Sequence, residues 1–162
     1  MKYLREAEKP ISELSDLVSI GDIAMLTTKT IGGHLRGRPM EVCHISDNGD
    51  IYFFAQTSDE ITAEITDHNH VSLCFRNSAD DDYTSVSGMV QLSKNNEDMV
   101  AFWDNKYERW IHEGLENPSI VLIKINPMYA EHWNLSGLMQ SIIKFIQSGE
   151  KAQDLVHEKL YG

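Results

Sequence analysis

The sequence has few basic residues, two cysteines and no long apolar run. It carries 14 Lys and Arg residues against 25 Asp and Glu residues, which gives a formal net charge of −11. Such an acidic balance argues against a broad nucleic-acid or anionic-membrane surface. No apolar stretch approaches the roughly 18 residues of a membrane span. Because the N-terminal stretch MKYLREAEKPISEL also has no apolar signal-peptide core, we expect a cytoplasmic protein with no membrane partner.

Several patterns that indicate redox, metal or nucleotide sites are also missing. There is no CxxC pair, so Cys43 and Cys74 are interpreted as buried reduced thiols, with a disulfide as the lesser alternative. No GxGxxG follows a predicted strand, and there is no Walker loop. Segments 67–70 (DHNH) and 80–82 (DDD) lack the ligand spacing of a metal centre. We therefore predict no metal site.

The most informative stretch runs from residue 24 to residue 54, AMLTTKTIGGHLRGRPMEVCHISDNGDIYFF. It predicts three antiparallel strands joined by two tight turns, because IGGH and DNGD supply residues that reach positive φ easily. Pro39 stands inside the middle strand, which is typical of an edge or ligand-facing position since proline has no N–H for the ladder. Arg38 precedes it as a fixed positive charge beside open backbone, and such a group suits an anion or a phosphate.

The rest of the chain predicts a mainly β protein with helices, of the α+β class. A helix is expected over 57–68, and further strands are expected over 71–75, 83–92 and 119–126. Gly88, within one of these strands, predicts a bulge or a close backbone approach. About six strands with short turns favour an antiparallel barrel. The amphipathic segment 138–146 opens a predicted C-terminal helical extension, 136–162, after a first domain over 1–135.

The order of the motifs AMLTT, GRPM, YFF, VSLCF, YTSVSG and AEHW resembles the general stress protein branch of the pyridoxamine 5′-phosphate oxidase-like family. The resemblance covers roughly residues 10–135. It implies a six-stranded antiparallel split β-barrel of Greek-key type that forms a homodimer. It also implies FMN in two sites at the subunit interface, with flavin redox chemistry on an unknown substrate. The expected partners are therefore a flavin and a second copy of the chain.

The same resemblance implies a set of cofactor-binding residues: Arg38, Pro39, Met40, Phe53, Phe54, Ala55, Tyr83, Trp110 and Trp133. Arg38 stands where the family's arginine meets the FMN phosphate. Pro39 and Met40 stand where the backbone passes beside the isoalloxazine ring. Tyr83 and Trp133 match residues that approach the flavin from the partner subunit. No residue is assigned as a catalytic acid or base.

One loop departs from the family pattern. An alignment without gaps puts Ala55, Asp59 and Ile61 where the family has threonine, serine and lysine. A phosphate dianion about 4–6 Å from a carboxylate, at an effective dielectric constant of about 20, meets roughly 6–8 kcal/mol of repulsion. Normal FMN phosphate binding is therefore weakened unless another cation substitutes. The candidate replacement cations are Arg36, Lys29 and Arg76.

These departures leave alternatives open. Arg38 fits a surface or interface ion pair as well as a phosphate contact. The whole chain also fits a non-enzymatic split-barrel dimer that has lost normal phosphate binding and binds another ligand or a protein partner. A different cofactor, such as a deazaflavin, haem or pyridoxal phosphate, is a third interpretation, although no haem ligand or Schiff-base lysine stands out.

Overall fold

The structure, a computed structural model, describes residues 4–77, 80–135 and 140–146. Within these residues the chain forms nine strands: β1 (Leu4–Pro10), β2 (Ile23–Lys29), β3 (Leu35–Glu41), β4 (His44–Ile45), β5 (Ile51–Gln56), β6 (His70–Asn77), β7 (Asp82–Ser93), β8 (Ile120–Asn134) and β9 (Gln140–Ile146). The helices are α1 (Glu60–Asp67) and α2 (Asn96–Phe102), with 3₁₀ turns at Ile11–Asp16, Asn105–Arg109 and Gly114–Glu116.

The described strands form one mixed sheet in the order β1-β9-β8-β7-β6-β2-β3. Strand β8 is 15 residues long and pairs with β7 along its length. On its other side, its first part pairs with β5 and its second part with β9. The short strand β4 pairs with β5, and β1 runs parallel to β9. The result is an open mixed sheet that divides along β8, and it is mainly β with few helices, as predicted.

The expectation of six antiparallel strands is wrong, because nine strands are present in the described residues and one pair is parallel. Residues 140–146 form strand β9 instead of the predicted helix. The reason is that β8 extends past β5, so its residues 129–134 offer a free edge for β9. Residues 147–162 of the predicted extension lie outside the described residues. The domain boundary after 135, the Greek-key connection and the homodimer remain predictions.

The β2–β3 pair is the first hairpin predicted from the sequence, and Gly33 adopts a positive φ of 87° in its turn. The predicted middle strand is divided, because the chain passes Val42 and Cys43 and changes partner from β2 to β5. Gly49, with a φ of 92°, closes the second hairpin between β4 and β5. Pro39 lies in β3, at the end of the sheet order, so its missing N–H costs no ladder hydrogen bond.

Strand β5 is buried on both faces because two apolar clusters lie on opposite sides of it. Side chains alternate along a strand, and Ile51 and Phe53 enter the larger cluster inside the sheet. Tyr52 and Phe54 enter the smaller cluster, which α2 and the following 3₁₀ segment complete with aromatic residues. Phe53 is fully buried. The strand therefore connects the main core with an aromatic layer outside it.

The prediction for Gly88 is confirmed. The register of β7 against β8 shifts there: Ser87 pairs with Tyr129 and Gly88 pairs with Pro127, so β8 has one residue more than β7. A Cβ atom at Gly88 would lie 2.6 Å from the carbonyl oxygen of Asn126, which is too close for any side chain. The glycine thus permits the two longest strands to stay in contact at a β-bulge.

Both cysteines are free, as predicted, but their environments differ. Cys43 is buried, and burial raises the pKa of its thiol to about 12. Cys74 is exposed, which corrects the expectation that both are buried; it lies at an outward-facing position of β6.

The two α-helices have eight and seven residues, and no helix in the described part of the chain is long and apolar enough to cross a membrane.

Candidate functional site

A cavity of about 480 Å³ lies between β3, β5 and the 3₁₀ segment that follows α2. Five residues of the predicted cofactor-binding set line it: Pro39, Met40, Phe54, Ala55 and Trp110. Strands β3 and β5 do not pair with each other within the described residues, so the space between them stays open. The volume falls in the range of roughly 300–1,000 Å³ that is usual for small-molecule sites. We call this the aromatic cavity.

Packed rings form one wall of the aromatic cavity. The ring centroid of Phe54 lies 5.2 Å from that of Trp103, edge to face, and 5.5 Å from that of Tyr107. Tyr107 in turn contacts Trp110, with 6.3 Å between the centroids. The side chain of Trp110 is 47% exposed, and the Arg109 guanidinium lies 4.8 Å from its ring. A wall of this kind suits a flat aromatic ligand, because offset and edge-to-face ring contacts are favourable.

Hydrogen bonds hold Trp110 against the end of β5. The side-chain amide of Gln56 donates to the carbonyl oxygen of Trp110, at 3.3 Å. The side-chain amide oxygen of Gln56 accepts a hydrogen bond from Asn117, at 3.0 Å.

Burial, with the nearby acidic groups of Cys43, Glu41 and Asp104, raises the pKa of Tyr107 to about 12. Its phenol therefore stays neutral at physiological pH.

The charged side chains that line the aromatic cavity are carboxylates. Glu41 lies 2.5 Å from the ammonium of Lys106. The Asp59 carboxylate accepts a hydrogen bond from the backbone N–H of Gln56, at 2.8 Å. No lysine, arginine or histidine is among the described lining residues. None of the described lining residues thus offers a cation to an anionic ligand; Lys106 and Arg109 contact the lining residues Glu41 and Trp110.

Beside the cavity, Thr28, Arg36, Arg38, Glu60 and Glu64 form what we call the arginine–glutamate cluster. Arg38 donates to the Glu64 carboxylate at 2.7 Å and to the Thr28 hydroxyl at 3.0 Å. The Thr28 hydroxyl donates to the same carboxylate. Arg36 is hydrogen-bonded to Glu60 and lies 3.6 Å from Glu64. Every charged member of the cluster is therefore engaged by an opposite charge within the cluster.

The Glu64 carboxylate is buried, with 6% of its side chain exposed. Burial by itself would raise its pKa, but hydrogen bonds from Thr28 and Arg38 and the charges of Arg38 and Arg36 outweigh burial and lower the pKa. Glu64 is therefore ionised at neutral pH. Two guanidinium groups face two carboxylates, so the cluster has no net charge. The sequence left two interpretations of Arg38 open, a phosphate contact and an ion pair. In the structure Arg38 forms an ion pair, with Glu64.

The remaining predicted residues lie elsewhere in the chain. Phe53 is fully buried in the main core and does not line the cavity. Tyr83 and Trp133 pair across β7 and β8, away from the aromatic cavity of their own chain. The Tyr83 hydroxyl accepts a hydrogen bond from Arg76, at 3.1 Å, which places that candidate cation away from Arg38. The structure thus separates a group of cavity residues from a pair on β7 and β8.

Sequence reasoning missed Glu64 and Thr28. One signal was available, because Glu60 and Glu64 are four residues apart on α1 and share a helix face. Arg36 and Arg38 are two residues apart on β3 and share a strand face. Two acids on one face and two bases on another could have predicted the ion pairs. No group of three His, Cys, Asp or Glu side chains in the described ranges is arranged to hold a metal ion.

An open, mainly β sheet with a cavity at its edge strand defines a split-barrel-like class of protein. Residues 9–154 match the family described as pyridoxamine 5′-phosphate oxidase like. Because the match spans most of the chain, the chain belongs to that family.

Similar proteins agree with this assignment. Protein bli-3 of Neurospora crassa is 22% identical over 159 residues, which cover 90% of this chain and 76% of that protein. The crystal structure of General Stress Protein 26 from Bacillus anthracis is 21% identical, with a TM-score of 0.66, and covers 75% of this chain and 92% of that one. The general stress FMN/FAD binding protein of Xanthomonas citri is 22% identical, with a TM-score of 0.65, and covers 79% and 91%. At these identities the structural likeness establishes the fold.

Proposed function

We propose that this protein is a flavin-binding protein of the general stress type and that an isoalloxazine ring lies in the aromatic cavity. The observation that carries the proposal is that five residues of the set implied by the family resemblance, from β3, β5 and the segment after α2, line one cavity. The similar protein from Xanthomonas citri is named as an FMN/FAD binding protein. FMN is therefore the first flavin to test.

The residues present fit the ring of FMN better than its phosphate. The apolar wall that includes Phe54 and Trp110 is suited to a flat ring system. Arg38, the expected phosphate contact, is paired with Glu64 instead. Ile61, where the family has lysine, is buried in the core. We therefore propose a bound flavin that is held through its ring.

We also propose that the protein is a homodimer in which Tyr83 and Trp133 approach the flavin of the partner subunit. An exposed apolar surface supports this, since Ile23 is 55% exposed and Met25 is 46% exposed on β2. Met25 also stands beside the exposed Cys74 on β6. Light scattering at micromolar concentration is expected to give twice the mass of the 18.5 kDa chain. A single-chain mass would contradict the dimer.

The proposed activity is that of an oxidoreductase with an unknown substrate, located in the cytoplasm. A bound flavin supplies electron or hydride transfer through its ring. The chain would supply binding, orientation and exclusion of water, with Phe54 and Tyr107 forming the buried wall. No titratable group in the cavity is required as an acid or a base for this role.

A second candidate function is a non-enzymatic split-barrel protein that binds another ligand or a protein partner. The Arg38–Glu64 ion pair favours it, because the arginine expected to hold a phosphate is already satisfied within the chain. Measured flavin affinity distinguishes the two candidates. Redox activity of a flavin-loaded preparation then separates an enzyme from a binding protein.

The test is a titration of the purified protein with FMN, followed by the visible spectrum of the flavin and by tryptophan fluorescence. Trp110→Ala is expected to weaken binding roughly two- to twelvefold, because one aromatic contact contributes about 0.5–1.5 kcal/mol. Val100→Ala, an exposed position on α2, is the matched control and should bind as the wild type does. Dissociation constants above about 1 mM for FMN and also for riboflavin, its counterpart without the phosphate, would rule out the proposal, because the binding free energy would then be weaker than about −4 kcal/mol.

A further inference from the structure

We propose that the arginine–glutamate cluster is closed to phosphate, and that the aromatic cavity accepts a flavin-like ring whose tail carries no phosphate. Riboflavin is then the better ligand and FMN the poorer one. This inference rests on the proposed function for the ring, and it assigns Glu64 as the residue that determines specificity against the phosphate.

The contacts of Glu64 carry the proposal. Its carboxylate accepts hydrogen bonds from Arg38, at 2.7 Å, and from the Thr28 hydroxyl, and it lies 3.6 Å from Arg36. Thr28 and Glu64 are both buried, with 1% and 5% of each residue exposed. The carboxylate therefore occupies the position that an anion would need in order to bind both arginines.

A phosphate could bind Arg38 only if it displaced Glu64. The displaced carboxylate would then remain buried beside two new negative charges, without its guanidinium partner. A buried charge that loses its partner is strongly unfavourable. Arg36 is half-exposed, and its positive charge is offset by Glu60, to which it is hydrogen-bonded, and by Glu64 at 3.6 Å. The two arginines therefore attract an external phosphate only weakly.

The lining of the aromatic cavity also disfavours a ligand that carries a phosphate. Its charged members are Glu41 and Asp59, and no basic residue is among the described lining residues. The Asp59 carboxylate is held in place by the Gln56 N–H, so it remains at the edge of the cavity. Glu41 is paired with Lys106, so Asp59 is the lining carboxylate that would repel a phosphate dianion, whereas an uncharged ribityl tail meets no such repulsion.

The experiment compares riboflavin with FMN, two ligands that differ only in the phosphate. Wild-type protein is expected to bind riboflavin at least as tightly as FMN. Glu64→Gln keeps the size of the side chain and releases Arg38, and it should tighten FMN binding by about tenfold or more. Riboflavin affinity should change by less than about twofold, because its tail carries no charge. The readout is the dissociation constant of each flavin by fluorescence.

Two further variants keep the result interpretable. Glu97→Gln on α2 changes the net charge by the same amount at an exposed position, and it should leave the ratio of the two affinities unchanged. Glu60→Gln is an exposed change that releases Arg36. It should also tighten FMN binding, by a smaller factor than Glu64→Gln. If Glu64→Gln does not fold, Glu60→Gln replaces it in the comparison of the two flavins.

The outcomes separate the two proposals. Wild-type protein that binds FMN about tenfold or more tightly than riboflavin would overturn the closed cluster and leave the flavin proposal standing. Equal gains for both flavins in Glu64→Gln would overturn the assignment of Glu64. If neither flavin binds to the wild type or to the folded variants, the proposed flavin function fails, and the inference fails with it.

Discussion

The aromatic cavity and the arginine–glutamate cluster meet at β3, where Pro39 belongs to the first and Arg38 to the second. The cavity is an open space with a packed ring wall and a half-exposed Trp110. In the cluster, by contrast, each guanidinium already has a carboxylate partner. In the proposed site, one part therefore offers an open apolar wall while the neighbouring part satisfies its own charges. Ligand preference then depends on which part supplies the attraction.

The largest expected effect tests the cavity wall. Phe54→Ala removes a ring that is 7% exposed and contacts both Trp103 and Tyr107. We expect the free energy of unfolding to fall by roughly 3–5 kcal/mol, since large-to-small changes in a core lose both burial and packing. Urea denaturation measures this. Trp110→Ala, at an exposed position of the same wall, should cost far less stability, and equal losses would contradict the distinction between wall and rim.

A smaller effect tests the cluster. Glu64→Gln is expected to lower the free energy of unfolding by roughly 2–3 kcal/mol at pH 7, because a buried carboxylate loses its charge toward Arg38. The folded-state pKa of Glu64 is below the ordinary value of 4.5. Its contribution is therefore fully present above about pH 4.5 and is lost as the pH falls through the folded-state pKa. The difference between wild type and variant should shrink in that acidic range.

The control for that measurement is Glu60→Gln. Its carboxylate pairs with Arg36 at the surface, where 72% of the Glu60 side chain is exposed. Exposed ion pairs contribute little to stability, and added salt screens them. The unfolding midpoint of this variant should thus stay close to that of the wild type. A loss as large as that of Glu64→Gln would show that burial does not distinguish the two carboxylates.

Local chemistry made part of this fold predictable. Pro39 marked an edge strand because proline lacks an N–H, and Gly88 marked a close approach because it lacks a Cβ atom. Strand β9 was not predictable in the same way. Its sequence, QSIIKFI, also fits a helical pattern, and it forms a strand because it pairs with the edge of β8. Such decisions depend on residues far away in the sequence.

In the candidate site, too, some features follow from the local sequence and others depend on residues that are distant in the sequence. Five residues that line the cavity were implied by the family resemblance, and four of them lie in two short motifs on β3 and β5, where neighbours in sequence stay neighbours in the strand. Glu64 was missed because its role depends on α1 packing over β2 and β3, which no short motif records. The absence of lysine at Ile61 indicated a weakened phosphate site, but it did not reveal that a carboxylate of the same chain had taken the arginine.

The bulge at Gly88 changes the phase of the longest strand. Before it, the odd-numbered residues Ile123 and Ile125 of β8 belong to the main core; beyond it, the even-numbered Ala130 belongs to that core and His132 is buried as well. One extra residue therefore inverts the parity of inward and outward positions. Without it, Trp133 would keep the odd phase and turn toward the interior. The outward orientation of Trp133, which the proposed contact with a second subunit requires, thus depends on a single inserted residue about five positions away.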